Sequence, residues 1–598
     1  MPQALRRSQF ITTYGPGAII EGKQGPRIVP ALEFSTVFKN RQITDFEITD
    51  SRLSTALLGN AGIIRLPSNA ELGVPENIEI HETSPFPSWA LCTRHQILYH
   101  KQVGIGNPRQ ACPLCPVHFN DWDAWQHVRR QAIRFVQVCL RGHLDDVNWM
   151  GIVKHLKQPC RPSYLEWKGA GSALRNIAIT CPECGGAVNL GLAYGMPLVC
   201  SGRFPERGRG RSVCDVEAKM IQRGASNLRM SELYSSLTIP PSDTRLNRLL
   251  ETSVIRGTLA VVTISTKQEL ITMLNTLVGA RVLGPALVAE VSRYNEQEIL
   301  AVVNQMKAPL PESNKELRLQ EFEALKRAAA MGSPPQSSST PGAPPQFEVL
   351  RADVKEFLGP GSRAYLRITP VSRLRVVMVQ KGYRRLDPLK GDVVECAYTD
   401  AQDNTWYPGT ELYGEGLFID LAPRSLTGGN HFSLQKNQAW INAWRDPEQY
   451  RQRIQVPSDE QDYLHPVFVW WHTLAHRLMN ALSIDSGYSS AAIRERIYID
   501  IDEASGEASG GILLYTAQPG GDGTLGGMIA LVPQFDRVLR VAFNTIDGCS
   551  NDPLCSEVQF EKGKYNGAAC YACQLVSETS CEHRNTRLDR NLLKENQP

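Results

Sequence analysis

The sequence predicts a multidomain, mixed α+β protein organised partly around metal ions, and three observations carry that reading. Its 598 residues exceed what one hydrophobic core accommodates. Its 42% apolar and 21% charged residues are those of a folded globular chain. Its 15 cysteines fall largely into short, regular spacings. The near balance of 64 basic against 61 acidic side chains excludes a polycation, so any hold on nucleic acid must come from local patches. The most apolar stretch, Pro466 to Leu478, is broken by His472, His476 and Arg477, and no secretory apolar run follows Arg6 and Arg7. A soluble, cytoplasmic protein with no membrane contact is expected.

Residues 1–90 read as an N-terminal α/β segment. Within it, Gly17-Ala-Ile-Ile-Glu-Gly22-Lys23 imitates a phosphate-binding loop, but Gln24 replaces the magnesium-binding hydroxyl and Ile19 and Ile20 are too bulky for backbone to curl round phosphates.

Residues 91–230 form a zinc-ribbon region with two or three sites. Chance places roughly 0.4 Cys-x-x-Cys pairs in a chain of this cysteine frequency, whereas Cys112/Cys115, Cys181/Cys184 and Cys570/Cys573 all occur. In an intracellular chain such thiols read as zinc ligands before disulfides. Cys92 and His95 complete the first pair. Cys181 and Cys184, followed by Gly185 and Gly186 for a tight turn, are grouped with Cys200 and Cys214. A weaker set, Cys139, His143, His155 and Cys160, lies between, and Cys139 sits in an apolar run that equally reads as a buried strand. Four-ligand sites of this kind are closed, hence structural.

Residues 231–330 carry helical spacing and make a mainly helical neck. The Pro/Ser/Gly-rich stretch 331–346 is a flexible linker. Residues 347–598 alternate strand-like and helical segments, an α/β body ending in a four-cysteine zinc site: Cys549, Cys555, Cys570 and Cys573, with Cys581 competing for the place of Cys549. Two to four zinc ions are expected in all. His472-Thr-Leu-Ala-His476 lacks the glutamate of a metalloprotease, and its apolar flanks favour a buried helix with hydrogen-bonded histidines.

Basic residues concentrate twice. Between Gly361 and Lys390 eight of them face the single acid Asp387, with Arg363, Arg367, Arg373, Arg375, Arg384 and Arg385 placed to line a strand face. Arg207, Arg209 and Arg211 form a glycine-interleaved cluster inside the second zinc region. Both can hold a phosphate backbone without reading sequence, and both can equally be a solvated face or a docking surface for an acidic protein.

Several motifs, taken in order, resemble a known family: Arg6-Arg-Ser-Gln-Phe-Ile-Thr-Thr-Tyr-Gly-Pro-Gly-Ala18, Cys139-Leu-Arg-Gly-His-Leu-Asp-Asp146, His472-Thr-Leu-Ala-His476, Ser486-Gly-Tyr488, Arg494-Glu-Arg-Ile-Tyr498, Leu514-Tyr-Thr516, Gly523-Thr-Leu-Gly-Gly527 and Leu588-Asp-Arg590. Together they are similar to the DrmB family, the helicase-associated subunits of the DISARM antiphage system. From about Phe347 the chain also resembles the zinc-binding domain of Mrf-type helicases, through Ser372-Arg-Leu-Arg-Val376, Gly382-Tyr-Arg-Arg385 and the final cysteines. The resemblance implies a non-catalytic scaffold that forms a heterodimer with the superfamily 2 helicase DrmA and helps bind phage DNA, with no catalytic residue to carry over. Two alternatives stand beside it: a metal-dependent nuclease built on His465, His472 and His476 and active only in complex, and a pure protein adaptor.

Overall fold

A computed structural model describes residues 5–22, 25–38, 43–100, 112–115, 130–157, 159–169, 173–240, 244–332, 346–356, 365–422, 438–447, 458–518, 526–560 and 565–595. The expected linker at 331–346 and Arg363 thus lie largely or wholly outside the described residues. The chain divides into two compact units, each assembled from three stretches of sequence.

The first unit comprises Met1–Ile43, Leu66–Leu233 and Gln380–Pro408. Its largest sheet is antiparallel and six-stranded, in the order Ala187–Asn189, Ala178–Thr180, Tyr164–Lys168, Ile97–His100, Trp89–Cys92 and Arg130–Ala132. A three-stranded sheet sets Phe135–Cys139 between Ala218–Gln222 and Leu144–Asp146. Trp89, Phe135, Trp149, Leu165 and Ile179 share one buried cluster with Cys139 and Cys181, so the metal-ligand candidates are rooted in the core. In the phosphate-loop imitation the described residues are extended rather than curled, with Ile19–Gly22 paired antiparallel with Gly25–Ile28.

The second unit comprises Thr44–Arg65, Tyr234–Val379 and Gly409–Pro598. Its sheet follows the order Met230–Leu237, Tyr365–Arg384, Thr405–Leu421, Glu507–Gln518 and Arg494–Asp502, and the unit takes the parts of those strands that fall within its ranges. The helix Pro466–Asp485 packs against the last two strands. Its Phe468, Trp470, Trp471, Leu474 and Leu478 are fully buried, and a side chain at Gly510 would strike the Trp471 indole at 2.4 Å, which explains glycine there. The helices Lys267–Gly279 and Glu296–Gln305 each open with a capping box, Thr266 with Glu269 and Asn295 with Glu298, and share a core with Leu246, Leu250 and Val291. Each unit draws on separate stretches of the chain because sheet formation joins strands distant in sequence. Among the described residues, no helix is long and apolar enough to cross a membrane.

Candidate metal centres and basic surfaces

Five clusters of metal-ligating side chains occur among the described residues, and local turns build most of them. In the first, Cys92 ends a strand, His95 follows in the turn to Ile97–His100, and Cys112 and Cys115 sit on a short turn closed by the Cys115 amide donating to the Cys112 carbonyl. His95 Nδ1 lies 3.6 Å from Cys92 Sγ and 3.5 Å from each of Cys112 and Cys115 Sγ, with Cys92 and Cys115 3.9 Å apart.

The next two clusters exchange the partners expected from spacing. Cys139 and His143 join Cys200 and Cys214, while His155 and Cys160 join Cys181 and Cys184. The turn Leu140–His143 depends on Gly142, whose φ is +80° and whose missing side chain makes room for Val394. There His143 Nδ1 faces Cys139 Sγ at 3.4 Å and Cys200 Sγ at 3.5 Å, while Nε2 bonds Ser212 Oγ at 3.1 Å and that hydroxyl donates to the Gly202 carbonyl. In the inner cluster His155 Nδ1 lies 3.3 Å from Cys184 Sγ, with Nε2 donating to the Met150 carbonyl, and Cys160 and Cys181 are 3.5 Å apart. Gly186 is the close-approach position. A Cβ there would meet the Lys154 carbonyl oxygen at 2.1 Å, so only glycine lets the backbone carrying His155 reach the Cys181–Cys184 turn.

The C-terminal cluster holds Cys549, Cys555, Cys570 and Cys573. Its sulfurs are 3.4 Å (Cys549–Cys570), 3.7 Å (Cys570–Cys573) and 3.8 Å (Cys555–Cys573) apart. Cys581 lies elsewhere, buried with His472, His476 and Glu495. His465 is not part of that group: its Nδ1 caps the helix by accepting from the Val467 amide, and Nε2 meets the Gly506 carbonyl.

These donor sets fit zinc. With zinc–sulfur bonds of about 2.3 Å and zinc–nitrogen bonds of about 2.0 Å, a tetrahedron has edges of about 3.3 to 3.8 Å, close to the observed separations. Amides of Gly202, Leu156 and Cys570 donate to the sulfurs of Cys200, Cys184 and Cys573, as suits thiolates. Burial first, and then the neighbouring thiols, push Cys112, Cys160 and Cys200 up to about 12. Burial also raises Cys184 and Cys570, but donations from Gly186 and Leu156 to one, and from Asn551 and Ala572 to the other, bring them down to about 6 and about 7. Sulfurs this close cannot all ionise together unless a cation stands among them.

The basic strand corrects its reading. Arg367 is buried against Asp420, Arg375 against Glu411 and Thr238, Arg384 pairs with Glu232, and Arg385 is fully buried with Glu206. Both faces of the strand Tyr365–Arg384 are covered over most of its length, so its arginines meet internal carboxylates and present no common charged face. Arg373 alone of the five described is half exposed, 3.9 Å from Glu348, at a bulge where the register shifts between Val371 and Leu374. The other cluster is more open. A bridge between Arg203 and Arg211 closes a loop that carries exposed Arg209, while Arg211 reaches Asp145 at 3.3 Å and Arg207 the Glu395 carbonyl at 3.1 Å.

A folded chain with zinc-type clusters in both units is, as a class, a multidomain zinc-binding protein. The family described as "Domain of unknown function (DUF8724)" matches residues 6–230, and the "MrfA Zn-binding domain" matches residues 474–574, which include Cys549, Cys555, Cys570 and Cys573. The "DISARM protein DrmB" of Bacillus paralicheniformis is 30% identical over 496 residues, 77% of this chain and 80% of that protein. The chain therefore belongs to the DISARM DrmB family. A crystal structure of the DUF1998 helicase MrfA bound to DNA is similar at a TM-score of 0.16 and 11% identity; the match covers 35% of this chain and about a fifth of that one, 22%.

Proposed function

We propose that this chain is a non-catalytic, zinc-organised subunit of a DISARM defence complex in the bacterial cytoplasm, forming a heterodimer with the superfamily 2 helicase DrmA and helping it hold phage DNA. The observation that carries this reading is the 30% identity to DISARM protein DrmB over 80% of that protein's length. The zinc clusters supply the scaffold: in small loop-rich modules a bound zinc contributes on the order of 10 kcal/mol of folding free energy, replacing core burial. The loop held between Cys200 and Cys214 presents Arg209 and Arg211, which suit backbone phosphates rather than base edges.

Co-expression with a tagged DrmA-type superfamily 2 helicase tests the reading. A single one-to-one peak in size-exclusion chromatography is expected, and separate peaks overturn the partnership. In the complex, Arg209→Glu with Arg211→Glu should weaken DNA binding and lower the slope of log affinity against log salt by about 1 to 2. An unchanged slope would remove this loop from the DNA contact and favour the adaptor reading.

A further inference from the structure

The cluster of His472, His476, Glu495 and Cys581 belongs to none of the cysteine-rich sites, and its hydrogen-bonding arithmetic does not close without a further positive centre. His472 and His476 are one helical turn apart on Pro466–Asp485, Glu495 stands on the strand Arg494–Asp502, and Cys581 follows Ser580, whose carbonyl accepts from the Glu495 amide. The first three side chains are fully buried and Cys581 is 5% exposed. Glu495 Oε1 receives both rings, His472 Nε2 at 2.9 Å and His476 Nε2 at 3.2 Å, and His472 Nε2 also lies 3.3 Å from Cys581 Sγ.

His476 Nδ1 lies 2.8 Å from the Gln574 carbonyl, an acceptor only, so Nδ1 carries the proton there. In the neutral ring Nε2 then presents a lone pair to Glu495 Oε1, and two lone pairs would face each other across 3.2 Å inside the core. Glu495 Oε2 and His472 Nδ1 are buried without a hydrogen-bond partner. A second feature matches the cysteine clusters: one ring nitrogen is turned inward while the other donates to backbone carbonyl, as His155 does to Met150 and His476 to Gln574. The Asn585 amide donates to Cys581 Sγ at 3.3 Å, as amides do to sulfurs of the other sites.

We propose that His472 Nε2, His476 Nε2, a Glu495 carboxylate oxygen and Cys581 Sγ are the four ligands of an additional structural zinc ion. Imidazole, carboxylate and thiolate are all zinc donors, and the short separations among them are of the size that tetrahedral edges require. Burial of all four leaves no position for a substrate, so the ion fastens helix, strand and C-terminal segment together and performs no chemistry. Gln574 directly follows Cys573, so one residue links this ion to the four-cysteine cluster. The assignment is independent of whether the chain meets a helicase or DNA.

The test uses the full chain. Diffraction data collected above and below the zinc absorption edge should give an anomalous peak among these four atoms, besides peaks at the cysteine clusters. Elemental analysis of Glu495→Gln should show the loss of one zinc equivalent relative to wild type, with the others retained. Peaks at the cysteine clusters with none here, or a Glu495→Gln chain with unchanged zinc content, would overturn the proposal. Should Glu495→Gln fail to fold, the wild-type map decides alone.

Discussion

Replacing Arg385 with methionine should unfold the first unit at markedly lower temperature rather than act on a charged surface. The guanidinium is fully buried, both terminal nitrogens lie 3.4 Å from Glu206 Oε1, one donates to the Gly17 carbonyl at 3.1 Å and the other to the Gly142 carbonyl. It also sits 4.7 Å from the centre of the Tyr383 ring, whose hydroxyl donates to the same Glu206 oxygen. Removing the cation leaves Glu206, two carbonyls and Tyr383 without their common partner. Breaking a buried pair from one side costs about 3–5 kcal/mol. At about 2–4 °C per kcal/mol for a unit of this size, the first calorimetric transition should fall by about 6–20 °C. Arg209→Met, on an exposed loop, should move it by less than about 2 °C, since such surface changes stay within about 0.5 kcal/mol. Adding Glu206→Gln to Arg385→Met should restore part of the loss, because the uncompensated charge is then gone. A transition within about 2 °C of wild type for Arg385→Met, accompanied by weakened DNA binding, would refute the burial argument and return Arg385 to a phosphate-binding face.

Two further predictions follow from single contacts. Ser212→Ala removes the hydroxyl that fixes the His143 tautomer, so zinc at the Cys139 cluster should become about 10- to 100-fold easier to remove by a chelator, read by competition with a colorimetric zinc indicator. Burial, reinforced by Asp50, holds Glu251 at about 7, above its usual 4.5. The folded state therefore binds the extra proton, and this group's contribution to stability is lost as pH rises from about 4.5 to about 7. Glu251→Gln should be more stable than wild type by roughly 1–3 kcal/mol in urea unfolding at pH 8, with the gap narrowing at pH 6. An equal gap at both values would count against it.

Fold class was legible because it rests on local signals: the capping boxes at Thr266 and Asn295, the Cys-x-x-Cys turns and the apolar helix around Trp470 each lie within a few residues. Ligand grouping was only half legible for a physical reason. Spacing identifies which residues share a turn, as Cys181 with Cys184 or Cys139 with His143, but a zinc site joins two turns, and the second is chosen by sheet pairing. Gly186 against Lys154 was the available clue, since a second glycine beyond the turn position marks a close backbone approach. The arginines of Tyr365–Arg384 misled for the same cause. Their acids, Glu206, Glu232, Glu411 and Asp420, lie 36 to 179 positions away, and local charge counts none of them. Glu495 escaped notice as a partner of His472 and His476 because nothing in Arg494–Asp502 distinguishes an inward carboxylate from the solvated acids that end the same strand.

The exchanged partners are nested rather than sequential, and this predicts unequal consequences for the two sites. His155, Cys160, Cys181 and Cys184 lie wholly inside the stretch spanned by Cys139, His143, Cys200 and Cys214. Closing the inner site joins ends that are few residues apart, and doing so shortens the loop that the outer site must close, lowering its entropic cost. Losing the outer ligands should therefore leave the inner ion in place, whereas losing an inner ligand should loosen both. Cys139→Ser with Cys200→Ser should release one zinc equivalent, since both serve one ion, and Cys139→Ser with Cys181→Ser should release two. Cys181→Ser alone should release the inner ion and also speed chelator removal of the outer one. If the ligands were instead grouped in sequence order, Cys139→Ser with Cys200→Ser would empty two sites, so elemental analysis of these three chains separates the two arrangements.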